Sequence, residues 1–289
     1  MKNIIKYLIV LLFIVSAPLH ADGPARWAVK DSDTTLHIYG TIHILKPELQ
    51  WQTPGMLSDF DKASHIIFEL APNQLTAQVM QPILFSKGRF GPDDSLANYL
   101  DAETYATLTQ KLSSAGVPPE SVAQMKPWFA GIMLAQVAYA QQGFTGDIGV
   151  EKILTKRATY NEQQLEGLES AAQQIDYFAS MPMDQQVSFL KISVEDFDKS
   201  GEQINDMLGA WIIGDIGKLA SLMNESMQDL PEVYDQLITQ RNINWIKQIK
   251  VMMQSPGIFF MAVGAGHLPG DDGVINLLKQ AGYEVYRIE

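Results

Sequence analysis

Cysteine is absent from the 289-residue chain, which excludes disulfides and lipidation through a thiol. Basic charge is scarce too: 21 Lys and Arg stand against 33 Asp and Glu, a net charge of −12 at pH 7. A balance of that sign makes nucleic acid and anionic membrane surfaces poor partners. The apolar run near the N-terminus, Tyr7 to Ala17, falls short of the ~20 residues that span a bilayer. No Pro/Gly/Ser-rich linker and no low-complexity tract divides the chain.

The opening MKNIIKYLIVLLFIVSAPLHADG has Lys2 and Lys6 ahead of that apolar run, then small Ala21 before Asp22. This is the pattern of a signal peptide over residues 1–21, so a periplasmic or secreted protein without a stable membrane anchor is expected. Its removal takes two of the 21 bases and no acid, leaving 19 against 33 and a net charge of −14. Residues 22–289 suit one large α/β domain.

Periodicity gives the order of elements. RWAVKDSDTTLHIYG reads as two strands around Asp31-Ser32-Asp33, the second over Thr35 to Tyr39. A helix starts at Thr53-Pro54, and His65-Ile66-Ile67-Phe68 begins an apolar strand ending at Glu69. At the other end GIFFMAVGAGH is an apolar strand, GVINLLKQAG a helix and YEVYRI a last strand. Such strands joined by helices imply parallel pairing, so a central, mostly parallel sheet built from N- and C-terminal β-loop-α-β units is expected. Residues 74 to about 255 form a large helical insertion, with helices capped by Asp101 and Asp147, one opened by Pro127, and a long amphipathic one over LPEVYDQLITQRNINWIKQIKVMMQ. QQLEGLE is a candidate extra strand.

Gly40-Thr41-Ile42-His43 and Gly264-Ala265-Gly266-His267 each place a histidine three residues after a glycine at the end of an apolar strand. In open parallel sheets the carboxyl ends of the strands form the ligand crevice, where both imidazoles are expected to converge. Glycine there supplies a positive φ or room for close approach. Glu69 closes an apolar strand, where an acid needs a partner, a metal or water. Two imidazoles and a carboxylate make a catalytic zinc set, or, with open positions, one for other first-row metals. His37 reads as a strand residue on a polar face and His65 as exposed or a local cap. From spacing alone Arg241 is a helix-surface residue, with reach to an oxyanion or Glu69 as the alternative. For Glu151 and Glu169 spacing does not separate site from surface, and the methionines read as core packing.

YGTIHILK, FELA, KPWFAGIMLA, GVEKIL, LEGLE, QRN and AVGAGHLPGDDGVINLLKQAGYEVYRI together resemble the TraB/GumN family over nearly the whole chain beyond residue 21. That family includes Tiki-type proteins, described as metal-dependent proteases, and is similar in fold to erythromycin esterases and to a haem-binding lipoprotein group. The resemblance implies a Tiki/erythromycin-esterase-like α/β fold, a site core of His43, Glu69 and His267, and Arg241 as a supporting cation. One departure is Gly149-Val150-Glu151, where the family commonly has Gly-x-Asp.

The expected function is that of a metal-dependent hydrolase cleaving an exported peptide or protein. His43, Glu69 and His267 would hold a divalent ion, manganese or cobalt on the resemblance or zinc on ligand type, that activates a water. Two alternatives stay open: a metal-independent, esterase-like hydrolase in which His43 is the general base and Glu69 orients it, and a non-catalytic haem- or metal-binding protein.

Overall fold

The computed structural model describes residues 23–288, so the signal peptide expected over residues 1–21 lies outside the described residues. β1 (Arg26–Lys30) and β2 (Thr34–Thr41) form an antiparallel hairpin in which Asp31 Oδ1 accepts the backbone N–H of Asp33 and Thr34. With β3 (His65–Leu70), β4 (Gln164–Glu169), β5 (Gly257–Gly264) and β6 (Val285–Ile288) they build one sheet in the order β4-β3-β5-β2-β1-β6. Pairing is parallel between β2 and β5, β3 and β5, and β3 and β4; β1 lies antiparallel to both β2 and β6. The sheet is therefore mostly parallel, and the two terminal units interleave, β5 inserting between β2 and β3. β6 does not pair with its own unit but passes to the far edge, beside β1.

Register decides where the chemistry falls. Thr41 pairs with Gly264 across β2 and β5, and Phe68 with Ala262 across β3 and β5, so the carboxyl ends of three neighbouring strands lie together. Alternation with period two sends Ile66 and Phe68 to one face and Ile67 and Glu69 to the other. The first face packs Tyr39, Phe260 and Ala262 against Phe60 of the helix Pro54–Lys62 and Leu154 of the helix Val150–Tyr160. The second packs Ile67, Met261 and Val263 against Trp245 and Ile249 of the helix Gln240–Met252 and Val274 and Leu278 of the helix Val274–Gln280. Glu69 thus leaves β3 on the side of the helix that carries Arg241.

The segment expected as a helical insertion is mostly helical, but its QQLEGLE stretch is β4 and completes one edge of the sheet, so the insertion is woven into the fold. A separate apolar cluster, including Leu108, Leu112, Leu134 and Leu190, holds together the helices Ala102–Ser114, Pro127–Gln141 and Met183–Glu195. Asp101 caps the first of these through Thr104 N–H, as expected. Asp147 caps no helix: Gly149 precedes Val150–Tyr160, and the Asp147 carboxylate turns to Lys152 at 2.5 Å. The long amphipathic stretch is interrupted by a π turn at Asp235–Thr239. Among the described residues no helix is long and apolar enough to cross a membrane.

Candidate active site

His43 lies in the loop just after β2, and that loop is fixed from the opposite side by the start of the helix Val150–Tyr160. Val150 N–H donates to Ile42 O at 3.1 Å, and Leu45 and Thr145 exchange backbone hydrogen bonds at 3.0 and 3.1 Å. A Cβ on Gly149 would stand 2.0 Å from the His43 carbonyl oxygen, so only glycine permits this approach. The approach delivers Glu151, in the first turn of the helix, to His43: Glu151 Oε1 lies 2.7 Å from Nδ1. Thr41 Oγ1 also donates to Glu151. The imidazole side chain stays 64% accessible, and the Glu151 carboxylate beside Nδ1 raises its pKa to about 9. Nδ1 carries the proton given to Glu151, which leaves Nε2 for the cleft.

Behind it sits a buried charged network. Glu69 Oε1 accepts the Gly264 backbone N–H at 2.7 Å, while Oε2 accepts from Arg241 Nη2 at 2.5 Å and from Gln174 Nε2 at 3.1 Å. Burial opposes the charge on Glu69, yet Arg241, His267 and His43 hold its carboxyl well below the usual carboxylate range. Arg241 also meets Glu169 through two parallel hydrogen bonds, Nε to Oε1 and Nη2 to Oε2, both 2.9 Å. Trp245 Nε1 adds a bond to Glu169 Oε1 at 2.8 Å. His267 Nδ1 lies 2.7 Å from Asn242 Oδ1, and the Asn242 amide is oriented by donating to the backbone oxygens of His267 and Asp272. The His267 proton is therefore on Nδ1, and its Nε2 lone pair faces Arg241 Nη1 at 3.0 Å. Burial pushes the His267 pKa down to about 3, which keeps the ring neutral at physiological pH.

Gly264 is where these parts converge. A Cβ at that position would lie 2.9 Å from Glu69 Oε1, 3.5 Å from His267 Cδ2 and 3.7 Å from His43 Nε2. Neither motif glycine has a positive φ, so close approach is what both positions require. Gly40 is equally tight, with Ala265 and Leu268 3.0 to 3.1 Å from where its Cβ would be. Beside the convergence opens a cleft of about 520 Å³. His43 and Glu69 lie along it, with Phe68, Leu70, Pro72 and Leu75 as an apolar wall and Glu151, Lys152 and Gln174 as polar lining.

The four residues expected at the site, His43, Glu69, Arg241 and His267, are thus brought together, but their arrangement differs from a metal set. Arg241 is buried in the network and not on the helix surface; within the helix Gln240–Met252 it stands one turn before Trp245, on the same buried face as Trp245 and Ile249. A divalent ion held by His43, Glu69 and His267 requires a free lone pair on each, and that of His267 Nε2 is directed at a guanidinium. Among the described residues no group of three or more His, Cys, Asp or Glu is arranged to hold a metal. As they stand, these three side chains do not fit a divalent ion. Glu151, and not Glu69, orients His43.

The remaining histidines stand apart. His37 is half-buried, stacked on Phe260 with Asp59 at 3.5 Å, so its face is not the polar one expected; His65 pairs with Glu166 at 2.7 Å. Glu151, Glu169, Asn242 and Gln174 complete the site. Of these only Glu151 had a local signal, its place behind Gly149.

The model of the TraB/PrgY/gumN family matches residues 25–287, and the chain belongs to that family. It is 24% identical to the uncharacterized protein YbaP of Escherichia coli (strain K12) over 265 residues, covering 90% of this chain and 94% of that one. An uncharacterized protein of Treponema pallidum (strain Nichols) is 19% identical over 269 residues, covering 88% of this chain and 80% of its own. No solved structure matches the chain significantly.

Proposed function

From this family membership and the cleft we propose a hydrolase that cleaves a carbonyl substrate, a peptide or an ester, with His43 as the proton-transfer group. The observation that supports this reading is the His43–Glu151 pair: a carboxylate on Nδ1 fixes the ring so that Nε2 faces the cleft next to Glu69. In its neutral form Nε2 takes a proton from water as the water oxygen attacks the carbonyl carbon; the imidazolium then returns that proton to the departing amine or alkoxide. Glu69, with its oxygens held by Gly264, Gln174 and Arg241, is too weak a base for this transfer and serves to orient the water.

The metal-dependent form of the same reading places manganese, cobalt or zinc on His43, Glu69 and His267. It calls for Arg241 to leave His267, and no step above depends on it. The expectation of a Tiki- or erythromycin-esterase-like arrangement belongs to this proposal, as does an exported peptide or protein substrate met in the periplasm or medium. Assay of the purified chain against a panel of chromogenic esters and peptides tests the reading: turnover lost in His43→Ala supports it, and equal turnover in that variant removes it.

A further inference from the structure

Arg241 has five N–H groups, and each has an acceptor. Nε donates to Glu169 Oε1, Nη2 to Glu169 Oε2 and to Glu69 Oε2, and Nη1 to His267 Nε2 and, at 3.3 Å, to Leu237 O. The guanidinium also lies over the rings of Tyr177 and Trp245, 5.6 and 5.0 Å from their centroids. Such a group has nothing left to offer a substrate oxyanion. Its contacts are those of a cation inside a coordination shell: two carboxylates, one imidazole nitrogen and one carbonyl oxygen.

We propose that Arg241 is the resident cation of this site, standing where a divalent ion would have to stand to share Glu69 and His267, so that this chain excludes metal from that pair. Arg241 is a positioning residue: it acts by fixing Glu69 and His267 beneath the cleft. A planar fork matches this shell in a way an ammonium cannot, because a lysine offers three donors from one point. Glu169 belongs to the shell, since it accepts two of the five N–H groups in parallel. This inference goes beyond the hydrolase reading and does not need it, because it concerns metal binding alone.

Calorimetric titration of the chelator-treated full chain with Mn²⁺, Co²⁺ and Zn²⁺ tests it without any substrate. Wild type is expected to show no metal site that depends on His267: any weak binding keeps its affinity in His267→Phe, which retains a ring but no lone pair. Arg241→Met, which frees Glu69 and His267, is expected to bind at least one of the three ions ten or more times more tightly than wild type, and to lose that gain when combined with His267→Phe. A one-to-one wild-type site weakened tenfold by His267→Phe would overturn the proposal, as would a folded Arg241→Met with no gain. If Arg241→Met fails to fold, the comparison of wild type with His267→Phe decides alone.

Discussion

Glu151 Oε1 stands 2.7 Å from Nδ1 of His43, and this one contact sets both the direction and the charge of the imidazole at the cleft. Because Glu151 raises the His43 pKa to about 9, the ring is mostly protonated at neutral pH. Hydrolysis by neutral His43 should therefore climb with pH and level off above about 9. In Glu151→Gln the rising limb should move down toward the ordinary histidine value near 6.5, with a lower plateau. A profile unchanged by that substitution would show that Glu151 does not govern His43.

The same shift makes a stability statement. A folded-state pKa above the unfolded value means that the pair stabilises the protein fully below about pH 6.5 and loses that contribution as pH rises through about 9. The ring is 64% accessible, so the effect is screened by solvent and small. Chemical denaturation of wild type and Glu151→Gln should differ at pH 6 and converge at pH 10; a constant difference would contradict the linkage.

Arg241→Ala leaves Glu69 and Glu169 buried without their cation. Breaking a buried ion pair from one side costs about 3–5 kcal/mol, so urea denaturation should show a loss of that order. Arg241→Lys should recover part of it, since one point charge cannot make the paired contacts to Glu169. Wild-type stability in the alanine variant would place Arg241 outside the buried network.

Gly264→Ala introduces a methyl group 2.9 Å from Glu69 Oε1 at the point shared by His43 and His267. Glu69 must shift, and turnover should fall at least tenfold while the fold persists. Unchanged turnover would mean that the reaction does not use this convergence.

Much of this arrangement is legible in the sequence because apolar strands ending in glycine fix where parallel strands stop. His43 and His267 follow such ends, Glu69 lies next to the end of β3, and the register of β2, β3 and β5 gathers them. The terminal pairing of β6 with β1 is not legible, since a crossover helix of seven residues says nothing about which edge the next strand reaches. Arg241 reads as surface because a charged side chain is ordinarily solvated, although it stands one turn before Trp245 on the buried face of the helix Gln240–Met252. Glu169 and Asn242 escape for a different reason: each finds its partner across the fold, so no spacing marks it.

Export rests on residues 1–21, and fractionation of cells expressing the full chain tests it. Protein beginning near Asp22 outside the cytoplasm is expected; uncleaved protein in the cytosol would remove the exported substrate.

The most direct measurement is cleavage of the ester and peptide panel by wild type and His43→Ala after exhaustive chelation. General base catalysis contributes about 10²–10⁴-fold, and His43 is accessible, so the variant should fold normally yet lose at least a hundredfold in kcat/KM. Wild type should keep its activity in chelator. Activity in wild type that vanishes on chelation and returns with added metal, or equal cleavage by His43→Ala, would contradict the account.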